Sequence, residues 1–250
     1  MSVFEVVSKK SLSDVVFDQL RSRIVNHDLK AGDELPSERI LCELLGVNRG
    51  AVREAMKRLQ QAGLIHVRHG GGTKVLDYRE EAGPELLASL LVTAEGQVDV
   101  AVARSIVRMR QVLSPEIAGD AAQHAHDDHT DQLDSIVEKM ASSQQAAEGQ
   151  LLAFEFWGVL VQGSSNIAYQ LAFNSLRKAY QPIWELLTQV LEGGFTDLAC
   201  FRQLAKLVRE GDRDGAFSCA RQYIDRSSAD MCAFLDAYEL HMQDTGQPIK

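Results

Sequence analysis

The stretch "SERILCELLGVNRGAVREAMKRL", residues 37–59, decides the fold. It divides at Gly46. Before the division, "SERILCELLG" predicts a short helix with Ser37 near its N-cap and Gly46 just past its end. After it, Asn48 is a good N-cap for a second helix, which Gly63 stops. Inside that second helix Val52, Ala55, Met56 and Leu59 fall at i, i+3, i+4 and i+7, a spacing that predicts a buried stripe. Arg49, Arg53 and Lys57 then recur every four residues, with Glu54 the one carboxylate among them. If the stripe faces inward, Arg49 and Arg53 project outward near the helix N-terminus.

Upstream, "SLSDVVFDQLRSRIVN" (11–26) carries Leu12, Val15, Val16, Leu20 and Ile24 at helical spacing, which predicts an amphipathic helix. "LKAGDELP" breaks it with Gly32 and Pro36. Downstream, "LIHVRHGGGTKVLDY" sets two β-prone runs on either side of three glycines, the pattern of a hairpin. Three helices and a hairpin within about 70 residues make a winged helix-turn-helix, expected to occupy residues 1–76. "DYREEAG" (77–83) is polar and ends at Gly83-Pro84, so it is taken as a linker. Residues 84–243 are rich in Leu and Ala with long 3.6-period segments, among them "VAVARSIVRMRQVL", "SNIAYQLAFNSLRKAYQPIWELLTQVL" and "FRQLAKLVREG". They predict an all-α helical bundle, followed by a polar tail at 244–250. The fold class expected is mainly α.

The chain has 250 residues and a net charge of −9, but the charge is uneven. Residues 1–80 hold 13 Lys+Arg against 11 Asp+Glu, a balance of +2, and the rest balance at −11. That asymmetry joins a basic module to an acidic one. Acidity overall does not exclude a nucleic-acid partner, because a local patch sets the field at contact range. No apolar run approaches the roughly 18 residues of a membrane span, and the start "MSVFEVVSKKSLSD" has no signal-peptide core. A soluble, cytoplasmic protein without a membrane partner is expected. Cys42, Cys200, Cys219 and Cys232 have no paired spacing and are expected as free thiols.

The layout of Arg49 and Arg53 is that of a recognition helix, whose N-terminal residues meet base edges while its apolar side packs on the preceding helix. Arginine matches the two acceptors of guanine with two parallel donors, so it can specify a base. Gly50 and Ala51 are small, which would let the helix approach DNA closely. Asn48 can cap the helix or contact phosphate or base, and Arg39 starts the preceding helix within possible reach of DNA. Lys57 and Arg58 lie further along and meet phosphate or solvent.

The run "PSERILCELLGVNRGAVREAMKRLQQAGLIHVRHGGGTKV" resembles the winged helix-turn-helix of the GntR family of bacterial regulators, and "AGDELPSER" just upstream follows the same pattern. The helical remainder more loosely resembles the ligand-binding domain of the FadR subfamily. The resemblance implies a homodimer on a double-stranded DNA operator, with wing-tip residues in the minor groove at positions matching His69 and Gly70. A histidine suits a narrow minor groove; a turn residue exposed to water is the other reading of His69.

Many members of the subfamily bind a divalent metal through one aspartate and three histidines. The matching positions here are Ala153, Trp157, Phe201 and Tyr223, which have lost ligand character, so no metal is expected. The histidine cluster "HAHDDH", His124 to His129, reads as a solvated loop or helix start, with Asp127 and Asp128 suited to a cap. Aromatic residues in place of the metal cage suggest an apolar cavity and a small hydrophobic effector. The fatty-acid regulator that gives the subfamily its name also departs from the metal pattern and answers to long-chain acyl-CoA. "RQVLS" (110–114), Tyr180 and Ser227 match it, while Ile224 and Met231 depart from its glycine and tryptophan. The candidate effector set is Arg110, Trp157, Tyr180, Phe201, Tyr223 and Ser227. The aromatic members may equally be core, and Arg110 can bind a carboxylate or phosphate or pair with Glu116 or another acid.

The function expected is a ligand-responsive DNA-binding transcriptional regulator that senses a long-chain acyl-CoA or fatty acid and releases a palindromic operator. A regulator answering to a short organic acid without metal, and a DNA-binding dimer with no effector, are the alternatives. No G-x-S-x-G, phosphate-binding Gly-x4-Gly-Lys, or HExxH motif is present, so no enzyme is expected.

Overall fold

The computed structural model describes residues 11–68, 71–93, 96–143, 145–184 and 197–245. The chain divides into two compact units, Met1–Gly96 and Gln97–Lys250. Among the described residues no helix is long and apolar enough to cross a membrane.

The first unit opens with α1 (Leu12–Val25), capped by Ser11, whose side chain accepts from the Asp14 amide while the Asp14 carboxylate accepts from the Ser11 amide. Val16, Phe17, Leu20 and Ile24 form its buried face. Leu12 and Val15, assigned to that face from sequence, are exposed instead. At 100° per residue Val16, Phe17, Leu20 and Ile24 fall within about 100° of one another, while Val15 stands about 100° outside that stripe and Leu12 lies at its edge, in the first turn. α2 (Glu38–Leu45) starts at the Ser37 cap and ends at Gly46, which is left-handed at φ 64. α3 (Arg49–Gln61) starts at Asn48 and buries Val52, Ala55, Met56 and Leu59 against α1 and α2.

Three strands complete the unit in the order β1-β3-β2: β1 (Glu34–Leu35), β2 (Ile65–Val67) and β3 (Thr73–Val75). β2 and β3 are the antiparallel wing, with Ile65 opposite Val75 and Val67 opposite Thr73. β1 lies in the segment read as a simple break, and pairs Leu35 with Thr73. Two residues are too few for a period-2 pattern to show.

The 77–83 linker is not a slack tether. Asp77 caps a short helix α4 (Tyr78–Glu81), a 3-10 turn follows at Pro84–Leu86, and α5 spans Leu87–Leu91. Tyr78, Ala82, Leu86 and Leu90 pack on the first unit's core, and the buried Arg21 guanidinium donates to the Ser89 carbonyl. The boundary therefore lies near Gly96 rather than at 76–84. Gly63 shows how close this packing is. It is left-handed at φ 68, and a Cβ there would sit 2.7 Å from the Glu81 carbonyl oxygen. Gly63→Ala combines an unfavourable backbone with a clash, so it should destabilise the first unit by about 1–3 kcal/mol; urea unfolding of the full chain checks this.

Every element described in the second unit is helical. α6 (Val100–His124) packs along α11 (Arg213–Thr245), with α7 (Asp127–Ser142), α8 (Ala146–Gly163), α9 (Ile167–Tyr180) and α10 (Leu198–Arg209) around them. Phe156, Leu160, Phe201, Leu204 and Ile224 are fully buried in its core. The long 165–191 helical pattern stops at Tyr180 in a 3-10 turn at Gln181–Ile183, where Pro182 has no amide to continue the ladder; residues 185–196 lie outside the described residues. α11 runs through Thr245, two residues into the expected tail, and 246–250 lie outside the described residues.

Candidate DNA-binding face and effector cavity

α3 presents the two cations as the spacing required. Its inner side is fixed by Val52, Ala55, Met56 and Leu59, and Arg49 and Arg53 are both exposed with no hydrogen bond or ion pair among the described residues. Separated by one helical turn, they stand on one face. Asn48 acts as the cap: its Oδ1 accepts from the Ala51 amide at 2.9 Å. Gly50 is exposed, and a Cβ there would come within 3.3 Å of that same oxygen. Ala51 is the exception. It is buried, one turn before Ala55 on the inward side, so it helps seat the helix and does not face DNA.

Two further cations of this unit, Arg39 and Arg58, have protein partners. Arg39 pairs with Glu43 at 2.7 Å, both well exposed, an exchangeable surface pair of small worth. Arg58, expected at phosphate or solvent, is held by Asp14 at 2.5 Å and lies over the Phe17 ring at 4.4 Å, so it ties α3 to α1. The Ser11 hydroxyl and Arg58 together hold the Asp14 carboxyl down at about 2. Lys57 is exposed. His69 and Gly70 lie outside the described residues. The wing beside them carries exposed Arg68 and half-buried Lys74, which sequence reasoning did not single out. An alternation with only two or three residues per strand left their direction open.

In the second unit, a cavity of about 50 Å³ lies among α6, α8, α9 and α11. Arg110, Ser114, Ala153, Trp157, Tyr180 and Met231 are among the residues that line it. Arg110 is buried, and among the described residues it is the one cation in the lining. Its proposed partner Glu116 pairs with Arg213 at 3.0 Å instead. Burial raises the Tyr180 phenol, against the pull of Arg110, and pushes Tyr223 up to about 12. Both phenols therefore remain protonated at neutral pH beside a guanidinium.

Phe201, Tyr223 and Ser227 do not line this cavity. Phe201 packs edge-on against Phe156 and Tyr223 at 4.9 and 5.1 Å, and Tyr223 stacks on Trp157 at 6.4 Å. Ser227 is buried and donates to the Ile224 carbonyl at 3.2 Å. These three form the layer behind the cavity. Phe154 and Phe173, missed in the sequence, and Trp184, which its spacing had placed only among the core aromatics, form an aromatic partition that lines both the cavity and an open groove of about 900 Å³ between α7, α8 and α9.

Trp157, Phe201 and Tyr223 do gather, with Ala153 one turn from Trp157. Together they bring one oxygen, Tyr223 Oη, which lies against the Arg110 cation. That donor set does not fit a divalent metal. In the "HAHDDH" run, the His126 amide donates to His129 Nδ1 at 3.2 Å at the start of α7, while the His124 ring contacts the Asp120 carbonyl.

The matches to known proteins divide the chain in the same way. The family model described as bacterial regulatory proteins, gntR family, matches residues 12–75, and the FCD domain model matches 105–226. The HTH-type transcriptional regulator Mce2R of Mycobacterium tuberculosis is 34% identical over 92% of this chain and 95% of that one. The fatty acid metabolism regulator protein of Haemophilus influenzae is 26% identical over 86% and 87%. The solved structure of Lar, which controls the expression of the Listeria monocytogenes agr system, has a TM-score of 0.57 at 14% identity, covering 90% of this chain and 98% of that one. At that identity the likeness concerns the fold alone.

A winged helix-turn-helix that matches the gntR family model, in a chain 34% identical to an HTH-type transcriptional regulator over 92% of its length, makes this a transcriptional regulator. The chain belongs to the GntR family of regulators, with an FCD effector domain.

Proposed function

We propose that the chain binds a palindromic operator as a homodimer and releases it when a long-chain fatty acid or its coenzyme A thioester enters the FCD domain, without a metal. A buried guanidinium, Arg110, in an otherwise apolar and aromatic cavity carries this reading: it suits a ligand with an apolar body and one polar or anionic group. The name of the Haemophilus influenzae relative supports the choice of ligand class. Two-fold protein symmetry calls for two half-sites. The ligand must bind one state better than the other, or no operator is released.

The cavity's size bears on the mechanism. A void of about 50 Å³ is a third of the roughly 150 Å³ that holds benzene in an apolar protein core. A chain-length ligand therefore has to displace the Phe154, Phe173 and Trp184 partition and extend into the groove beyond it. A short organic acid would fit with less rearrangement, which is what favours that second reading. A panel of fatty acids, acyl-CoAs and short carboxylates, scored by thermal shift and by operator release, separates the two. Long-chain ligands should raise the melting temperature and free the DNA. A short acid acting at lower concentration than any acyl compound would overturn the acyl reading.

A further inference from the structure

Two of the four cysteines meet across the α10–α11 hairpin. Cys200 and Cys219 are both partly exposed, and their sulfurs lie 3.6 Å apart. Each sulfur also approaches the other residue's backbone carbonyl, at 3.9 and 3.8 Å, so the two side chains point at one another. A disulfide needs about 2.05 Å between sulfurs, so about 1.5 Å of closure separates the thiol pair from a bond. The turn at Glu210–Asp212 already holds the two helices together.

We propose that Cys200 and Cys219 are a modification site: a dithiol that a hydroperoxide converts reversibly to an intrachain disulfide. The chemistry closes in two steps. The Cys219 thiolate attacks one peroxide oxygen, the S–O bond of a sulfenic acid forms as the O–O bond breaks, and the departing hydroxide or alkoxide takes up the proton that Cys219 released, giving water or an alcohol. The Cys200 sulfur then attacks the sulfenic sulfur, the S–S bond forms, and water leaves with the Cys200 proton. The dithiol loses two electrons and the peroxide gains them. Either sulfur can donate across the 3.6 Å contact; with Cys200 as the donor the Cys219 pKa is lowered, while the same bond and burial raise that of Cys200, so Cys219 is the sulfur to start.

The bond would lie directly behind the effector cavity. Cys200 precedes Phe201, Cys219 is one turn from Tyr223, and Phe201 and Tyr223 pack on each other and on Trp157. Oxidation would tie together the two helices that carry this layer. The chemistry needs no effector, so it stands independently of the acyl reading.

The test uses the full reduced chain with hydrogen peroxide, followed by thiol counting and peptide mapping under non-reducing conditions. Two thiols per chain should disappear, with a mass loss of 2 Da on a linked Cys200–Cys219 peptide pair, restored by dithiothreitol. A variant with Cys42→Ser and Cys232→Ser should cross-link as the wild type does. Cys200→Ser should instead leave a dimedone-trappable sulfenic acid on Cys219. Links through Cys42 or Cys232, links between chains, direct passage to sulfinic acid in the wild type, or four thiols surviving peroxide would each overturn the proposal.

Discussion

Replacing both Arg49 and Arg53 by alanine is expected to weaken binding to a selected operator by about 2–6 kcal/mol, from about 1–3 kcal/mol for each base contact if the two are independent. Fold should survive, because both side chains are exposed and neither touches the first core. The contrast with random DNA decides the mechanism. If the guanidinium groups read base edges, loss on random DNA is much smaller, and each single variant relaxes preference at its own position in a pool of randomised sites. If they only meet phosphate, binding falls equally on every sequence, and the salt dependence drops by about one unit of slope per arginine. Gel-shift titrations at two salt concentrations distinguish these outcomes. Lysine at either position would keep the charge but lose the bidentate fork, so Arg53→Lys should retain random-DNA affinity while losing specificity.

The second large effect is expected at Arg110. Arg110→Met keeps the apolar stem of the side chain and removes the guanidinium, the buried cation. The affinity for an acyl ligand should fall by about 2–5 kcal/mol, the usual cost of stripping one partner from a buried charged contact. That corresponds to a loss of about 30-fold to several thousandfold. Operator binding without ligand should stay near the wild-type value, so the variant would hold DNA at ligand concentrations that release the wild-type protein. Calorimetric titration and operator release on the same preparation check both halves. Unchanged ligand affinity in a folded Arg110→Met would remove the cavity from the mechanism.

The helix-turn-helix was legible because its signals are local. Ser37, Gly46 and Asn48 cap and stop the helices through their own backbone neighbours, and the Val52, Ala55, Met56 and Leu59 stripe orients α3 with no need of tertiary information. Ala51 could have been placed inward by the same count, since it lies one turn before Ala55. The lining of the cavity was half legible. Arg110, Trp157 and Tyr180 line the cavity, but Phe201, Tyr223 and Ser227 stand behind it. Helical periodicity tells which face is apolar, and it says nothing of whether that face meets a void or another side chain. Phe154 and Phe173 were missed for the same reason, as ordinary apolar positions in apolar helices. Arg58 was misread because its partners, Asp14 and Phe17, lie some 44 and 41 positions away in the chain.

Packing of Tyr78, Ala82, Leu86 and Leu90 on the first core sets where the gene can be cut. A clone ending at Leu76 would code for a polypeptide with bare apolar patches and an Arg21 guanidinium deprived of its Ser89 acceptor. Such a product should precipitate or melt early, whereas one extended to Gly96 should be tractable for NMR or crystallisation with an oligonucleotide.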